Sequence, residues 1–410
     1  MASGTLLHVP MATAAALLDQ RPRHLIDLRS PVEFAEDHLP GAVNVPLFDD
    51  LERALIGTLY ARKSPEAAFE EARARTRARI AAFTAEIAER CGWELPALDL
   101  EQRVEGLAAF GIARLERELA SHPSEPTPGS VVLYCWRGGL RSRSVVTLLR
   151  GIGREEVLGI EGGYRAYRQQ VRGRIEAWCA PPSFVLRGLT GVGKTLVLRE
   201  LARLRPEWAL DLEAMAGHRS SILGMVGLEP ASQKLFESRL AERFGRGFGG
   251  TCVIEGESRK VGDLILPESV WRALDGGVAL QLTAQPARRV RVLLEDYLVS
   301  PTSRAELARQ LPFIETRLGS RWNGELVAML ASGREAELVE LLLQRYYDPL
   351  YGHSERGRRY AASFDSTDPR VAAAEIVSWI ERELASARTR PPAAGARSSA
   401  ASVPQAPTDL

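Results

Sequence analysis

The chain has 410 residues, 45% of them hydrophobic and 26% charged, with a formal net charge of +1. That is the composition of a soluble globular protein, long enough for two domains, and its charge neither demands nor excludes a nucleic-acid partner. No apolar run approaches the roughly 18 residues of a membrane span, and the opening MASGTLLHVP has no basic flank of the signal-peptide kind, so a cytoplasmic protein without a membrane partner is expected.

In chain order, HLIDL (24–28), VNVPL (43–47), SVVLYC (130–135) and EVLGIEGG (156–163) read as strands. SRSVVTLLRGIG (142–153) and YRAYRQQVRGRIEAW (164–178) read as helices. Strands alternating with helices predict a parallel α/β sheet over residues 1–180. Two long patterns rich in Glu/Arg at helical spacing, ending in ERELASH (116–122), interrupt it. They predict a helical insertion at about 62–125. Pro181-Pro182 then marks a boundary. Beyond it, SFVLRG (183–188), WALDLE (208–213), TCVIEGES (251–258) and VALQLTA (278–284) are predicted strands of a second α/β domain, 181–388, whose remainder is mostly helical. The tail, 389–410, is rich in Ala, Pro and Ser and is expected to be disordered.

The four cysteines, Cys91, Cys135, Cys179 and Cys252, form no CxxC or Cys/His cluster. Zinc and a disulfide framework are therefore not expected. Cys135 is the exception in its setting, LYCWRGGLRSRS (133–144). It ends a strand and precedes a helix N-terminus, where free N–H groups and the helix dipole favour a thiolate and a bound oxyanion. Gly138 and Gly139 let the loop curl inward, and Arg137, Arg141 and Arg143 add charge. Cys135 is the candidate nucleophile, with Trp136, Arg137, Gly138, Gly139 and Arg141 as the candidate anion site. Five residues separate Cys135 from Arg141, a spacing also found in cysteine phosphatases, although residues 135–144 contain no Asp or Glu to serve as general acid.

A second motif, GLTGVGKT (188–195), matches GxxxxGK[ST] between a predicted strand and helix. Gly188, Gly191 and Gly193 would wrap a diphosphate, Lys194 would neutralise it, and Thr195 would hold Mg²⁺ where a metal is present. Glu255 and Asp211 end strands beside it and are candidate metal-side acids. Nothing in the sequence specifies a nucleotide base.

Asp27, Arg29, Glu33, Phe34, His38, Pro40-Gly41-Ala42, Asn44 and Pro46, with GGYRAY (162–167), resemble a rhodanese domain. That resemblance implies a persulfide, or its selenium equivalent, on Cys135, with Asp27 and Arg29 bracing the loop and His38 structural. Together with the P-loop, YCWRGGLRS (134–142), ERALIGTLY (52–60), DLEAMAGHRSSILG (211–224), SQKLFESRL (232–240), EGESRKVG (255–262) and YYDPLY (346–351) resemble the bacterial tRNA 2-selenouridine synthases. Departures from that family's pattern are Ser220 for glycine and Ile222-Leu223 for a small-aromatic pair. The resemblance implies a transferase that replaces the 2-thio sulfur of the wobble uridine with selenium, after S-geranylation. Its co-substrates would be selenophosphate and geranyl diphosphate, with no tightly bound cofactor. Its partners would be tRNA and an enzyme that produces selenophosphate. Glu213, His218, Arg219 and Glu257, in the matching segments, join Asp211 and Glu255 as candidate substrate or Mg²⁺ contacts. The alternative left by the motifs alone is a sulfurtransferase or cysteine phosphatase coupled to a P-loop NTPase or kinase. Candidate RNA-contacting patches are Arg141/Arg143, Arg165/Arg168/Arg172/Arg174, His218-Arg219, Arg288/Arg289/Arg291 and Arg356/Arg358/Arg359, with Trp136 free to stack on a base.

Overall fold

A computed structural model describes residues 8–355 and 357–389. Residues 390–410, nearly all of the tail expected to be disordered, lie outside the described residues, as does Arg356. The first sheet contains β1 (Val9–Ala12), β2 (His24–Asp27), β3 (Ala42–Asn44), β4 (Ser121–Pro123), β5 (Val131–Tyr134) and β6 (Val157–Ile160). All pairs are parallel, in the order β3-β2-β5-β6-β1-β4. Every residue of β5 and β6 is buried. That is why VVLY and VLGI read as unbroken apolar runs: central parallel strands are covered on both faces.

The insertion lies between β3 and β5. Its long helix, Pro65–Cys91, buries Ile80, Phe83 and Ile87 on the sheet and turns Arg73, Arg75 and Arg79 outward to Glu105, Glu71 and Glu52. The second helical pattern departs from expectation. It breaks at Gly111, which takes φ +67°, into Leu100–Ala108 and Gly111–Glu118. Residues 121–123, expected to continue the helix, instead form the exposed edge strand β4 beside β1. A pattern of charged residues at helical spacing does not exclude a three-residue edge strand, whose side chains face water.

The second sheet contains β7 (Ser183–Arg187), β8 (Ala209–Leu210), β9 (Cys252–Glu255), β12 (Val278–Thr283) and β13 (Ala362–Asp365), parallel throughout, in the order β13-β12-β7-β9-β8. A short antiparallel pair, β10 (Lys260–Val261) and β11 (Leu264–Ile265), stands apart. One expectation is corrected here. WALDLE yields only two strand residues, because Asp211 leaves the strand to cap the helix Leu212–Ala216. The stretch beyond 284 is mostly helical, as expected, with the short strand β13 returning to the sheet edge.

The two sheets share a core. The helix Gly163–Ala177 follows β6, and its Tyr164, Tyr167, Val171 and Ile175 are buried together with Phe236, Leu240 and Phe244 of the helix Gln233–Gly245. Trp178 stacks on Phe244 at 4.1 Å. Beneath this lies a buried polar node. Asp37 accepts from Tyr164 Oη at 2.7 Å and Ser238 Oγ at 3.1 Å, and Arg168 stands 3.4 Å away, also paired with Glu237. Burial pushes the Asp37 carboxyl upward against the pull of these donors. Breaking a buried pair leaves its partner uncompensated. Asp37→Ala is therefore expected to lower unfolding stability by about 3 kcal/mol, read by urea denaturation; a loss below about 0.5 kcal/mol would show the node to be solvated.

Candidate functional site: a thiol loop and a phosphate loop

Cys135 sits at the carboxyl edge of the first sheet, directly after β5 and before the helix Leu140–Gly151. It is 2% exposed, at the floor of the loop 136–139. Its Sγ lies 3.3 Å from Ser142 Oγ. Burial pushes the thiol pKa up, but the Arg141 charge, the Ser142 hydroxyl and the N–H groups of Ser142 and Arg137 outweigh it. The net position is below that of an ordinary thiol.

The loop is clipped from behind by the chain that follows β6. Tyr164 N–H donates to the Cys135 carbonyl at 2.9 Å and Arg165 N–H to that of Trp136 at 3.0 Å. The approach is so close that a Cβ on Gly138 (φ +62°) would stand 2.3 Å from the Ile160 carbonyl. One on Gly163 (φ +59°) would stand 2.3 Å from the Cys135 carbonyl. Only glycine fits at either place. Gly139, in contrast, has φ −89° and open space, so the expected need for glycine there is not met; Gly163 carries it instead.

The three loop arginines divide. Arg141 charges the thiol and Arg137 is exposed. Arg143 donates to the carbonyls of Gly138 (3.0 Å) and Leu119 (3.3 Å), so it ties the loop down rather than facing an anion or RNA. Trp136 is half-buried, 5.3 Å from the Tyr164 ring. Asp27 and Arg29 form a fully buried pair at 2.5 Å, with the guanidinium 3.7 Å from the Tyr164 ring centroid. His38 Nδ1 meets the Phe34 carbonyl at 2.9 Å inside a turn. Because the Arg141 charge is what pulls the thiol down most strongly, Arg141→Ala is expected to move the pH midpoint of Cys135 alkylation upward, measured by iodoacetamide labelling and peptide mapping; an unmoved midpoint would assign the activation to the amides and Ser142.

The P-loop joins β7 to the helix Lys194–Leu204. Gly188, Gly191 and Gly193 take φ of 149°, 79° and 85°. A Cβ on Gly188 would stand 2.5 Å from the Leu282 carbonyl, and one on Gly191 2.9 Å from that of Arg289. Lys194 Nζ donates to the Gly188 carbonyl at 3.3 Å and Thr195 Oγ1 to Glu213 at 3.1 Å. The loop opens on a cavity of about 510 Å³, walled among others by Arg187, Glu213, Arg219, Glu257, Tyr297 and Tyr351.

Glu213, Glu255 and Glu257 bring carboxylate oxygens within 4.8 Å of one another. Burial, then Glu213, Asp211 and Glu257, push the Glu255 carboxyl far up, with Lys194 opposing. Burial and Glu213 raise Glu257 to about 7, again against Lys194. Both Glu255 oxygens are buried without a hydrogen-bond partner. Orphaned oxygens in a shared acid cluster beside the P-loop threonine suit a hard divalent cation. Thr195, Glu213, Glu255 and Glu257 would hold it.

Of the remaining candidates, Asp211 accepts from Ala214 N–H at 2.8 Å and acts as a helix cap beside the cluster, not as a member of it. His218 is wedged between Gly224 and Gly262 and does not line the cavity. Arg219 does line it. Its guanidinium is held by the carbonyls of Val226 and Asp296, both at 2.9 Å, and lies over the Tyr297 ring.

Two arginines expected on an RNA-facing surface are instead buried braces. Arg168 belongs to the Asp37 node. Arg289 forms a two-pronged pair with Asp348 (2.5 and 3.0 Å) and donates to the Thr190 carbonyl in the P-loop at 2.8 Å. Sequence reasoning missed Ser142, Gly163 and Arg187. Ser142 follows Arg141 directly, a signal that could have been read. Arg187 ends β7, but nothing in the local pattern marks it.

Comparison with known proteins agrees with this geometry. A family model described as "tRNA 2-selenouridine synthase AAA domain" matches residues 181–385, and a "Rhodanese-like domain" model matches residues 11–82. A tRNA 2-selenouridine synthase from Chromohalobacter salexigens is 32% identical over 86% of this chain and 92% of its own length. Those from Cupriavidus pinatubonensis and Nitrosomonas europaea are 31% and 30% identical, covering 88% and 85% of this chain and 95% and 93% of theirs. With a rhodanese-like thiol loop, a P-loop and relatives matched across both, the chain belongs to the tRNA 2-selenouridine synthase family.

Proposed function

We propose that this protein replaces the 2-thio sulfur of a wobble uridine in tRNA with selenium, in two steps that use its two loops. In the first, the uridine sulfur attacks the first carbon of geranyl diphosphate. A C–S bond forms, diphosphate departs with the C–O electron pair, and the N3 proton of the base goes to solvent. The P-loop amides and Lys194 take up the charge that develops on it. The chemistry a Mg²⁺ ion supplies there is further neutralisation of the leaving diphosphate. In the second step selenium derived from selenophosphate bonds to C2 of the base. The geranylthiolate departs with the C–S pair and takes a proton from solvent. Alkylation is what turns an inert thiocarbonyl into a leaving group. The loop of Cys135, with Arg141 and the amides of Arg137 and Ser142, receives the selenophosphate.

The observation that carries this reading is the presence of two glycine-shaped anion cradles in one chain, one with an activated thiol and one without a nucleophile. The acid-lined second cradle suits a leaving group that needs only charge stabilisation. The exposed Arg137 and Arg165 beside half-buried Trp136, with exposed Arg172 further along the same helix as Arg165, would meet the tRNA. Among the described residues no helix is long and apolar enough to cross a membrane, in keeping with action on tRNA in the cytoplasm.

The test is reconstitution with 2-thiouridine-containing tRNA, geranyl diphosphate and selenophosphate, leaving out one reagent at a time and reading nucleosides by mass spectrometry. S-geranyl-2-thiouridine is expected without selenophosphate, and 2-selenouridine with all three. Selenium incorporation unaffected by omitting geranyl diphosphate would refute the two-step order.

A further inference from the structure

Three features of the thiol loop go unused if Cys135 merely carries selenium. Five residues separate the cysteine from Arg141, Ser142 follows at once, and residues 135–144 contain no carboxylic acid. The Ser142 hydroxyl stands 3.3 Å from Cys135 Sγ and 3.3 Å from the Gly139 carbonyl, within reach of both the sulfur and the loop backbone. Arg143 and the Tyr164 and Arg165 amides hold that backbone from outside. The N–H groups of Arg137 and Ser142 are turned toward the sulfur, so a tetrahedral oxyanion received by the loop would have its central atom above the thiol.

Electron counting points the same way. Were the thiolate to take selenium directly from selenophosphate, the P–Se pair would stay on phosphorus. Phosphorus would then leave reduced, as phosphite, and the enzyme would need an oxidant to return it to phosphate. Attack on phosphorus has no such demand. We infer that Cys135 is a nucleophile toward phosphorus: its thiolate displaces selenide from selenophosphate, forming a cysteinyl phosphate and releasing hydrogen selenide beside the base. This inference rests on the reading that selenophosphate enters this loop.

The steps balance. The S–P bond forms and the P–Se bond breaks, and selenide departs with the electron pair. Selenide adds to C2 of the S-geranylated uridine, the C–Se bond forms, and geranylthiolate leaves with the C–S pair. Water then attacks phosphorus. The S–P bond breaks, orthophosphate departs, a proton goes to solvent and the thiolate is restored. No atom changes oxidation state. The missing acid is accounted for as well. A phosphatase acting on an alcohol ester must protonate its leaving group, whereas selenium leaves as the hydrogenselenide anion, HSe⁻, whose one proton is brought by the protonated selenophosphate itself and which is stable at neutral pH without a second. Ser142 acts on the last step, donating to the sulfur as it becomes a thiolate again.

The experiment uses the full chain and selenophosphate labelled either in phosphorus or in selenium, without tRNA, with a denaturing quench and peptide mapping. Phosphorus label is expected on Cys135 and selenium label is not. Cys135→Ser removes the label. Ser142→Ala is expected to lengthen the lifetime of the labelled protein by about 10²-fold, the scale of a lost hydrogen-bonding or proton-transferring group. Selenium label on Cys135 without phosphorus would overturn the inference. So would no label of either kind in Ser142→Ala protein that still moves selenium to tRNA. Phosphorus label on Cys135 in a protein that never delivers selenium to tRNA would leave the thiol chemistry standing and sink the selenouridine reading instead.

Discussion

Cys135→Ala protein supplied with 2-thiouridine tRNA, geranyl diphosphate and selenophosphate is expected to accumulate S-geranyl-2-thiouridine and to form 2-selenouridine at least about 10³-fold more slowly than wild type, the scale on which loss of a nucleophile acts. The sulfur at the floor of the loop is addressed by both Arg141 and Ser142. Its removal leaves the anion cradle intact, so selenophosphate still binds but is not opened. Alanine adds no bulk to a 2% exposed site and is not expected to disturb the fold. Nucleoside mass spectrometry over a time course decides the matter: an unchanged rate of 2-selenouridine formation would remove Cys135 from the chemistry.

Lys194→Ala carries the complementary expectation. The ammonium group is held over the P-loop by the Gly188 carbonyl, and its charge opposes the upward shifts of Glu255 and Glu257. Without it the departing diphosphate loses its one lysine, and the acid cluster is left more repulsive toward an anion. Geranyl transfer is expected to fall by about 10²–10³-fold, the scale of one lost charge-stabilising donor. Supplying tRNA that already carries S-geranyl-2-thiouridine is expected to restore selenium incorporation by this variant. The Cys135→Ala variant should gain nothing from the same substrate. Failure of that rescue, with folding intact by circular dichroism, would mean that the two loops do not divide the work.

Both loops were legible in the sequence because each needs particular residue types at fixed spacing. Cys135, Arg141, Lys194 and Thr195 are local features of a strand–loop–helix unit. The β5 and β6 runs were legible for the same reason, being apolar throughout. What was not legible depends on residues distant in sequence. Gly163 is a required glycine only because the chain after β6 returns to the Cys135 carbonyl. Arg168 and Arg289 read as surface cations until Asp37 and Asp348, 131 and 59 positions away, take them inward. The edge strands β4 and β13 carry too few inward-facing residues to show a period of two. Asp211 looked like a metal-side acid because its role turns on whether the next residues continue a strand or start a helix.

The helix Gly163–Ala177 has a further consequence, which falls on biosynthesis. Its Tyr167, Val171 and Ile175 are covered in the finished protein by Phe236, Leu240 and Phe244. At ribosomal speeds of roughly 5–20 residues per second, the first half of the chain waits several seconds for its cover to be made. Through that interval the nascent first half presents an apolar flank next to a finished thiol loop. A chain terminated near residue 180 would keep that flank for good, so it is expected to be sticky and to survive poorly as a free-standing unit. The two halves are thus bound to a common fate during synthesis, before either has met a substrate.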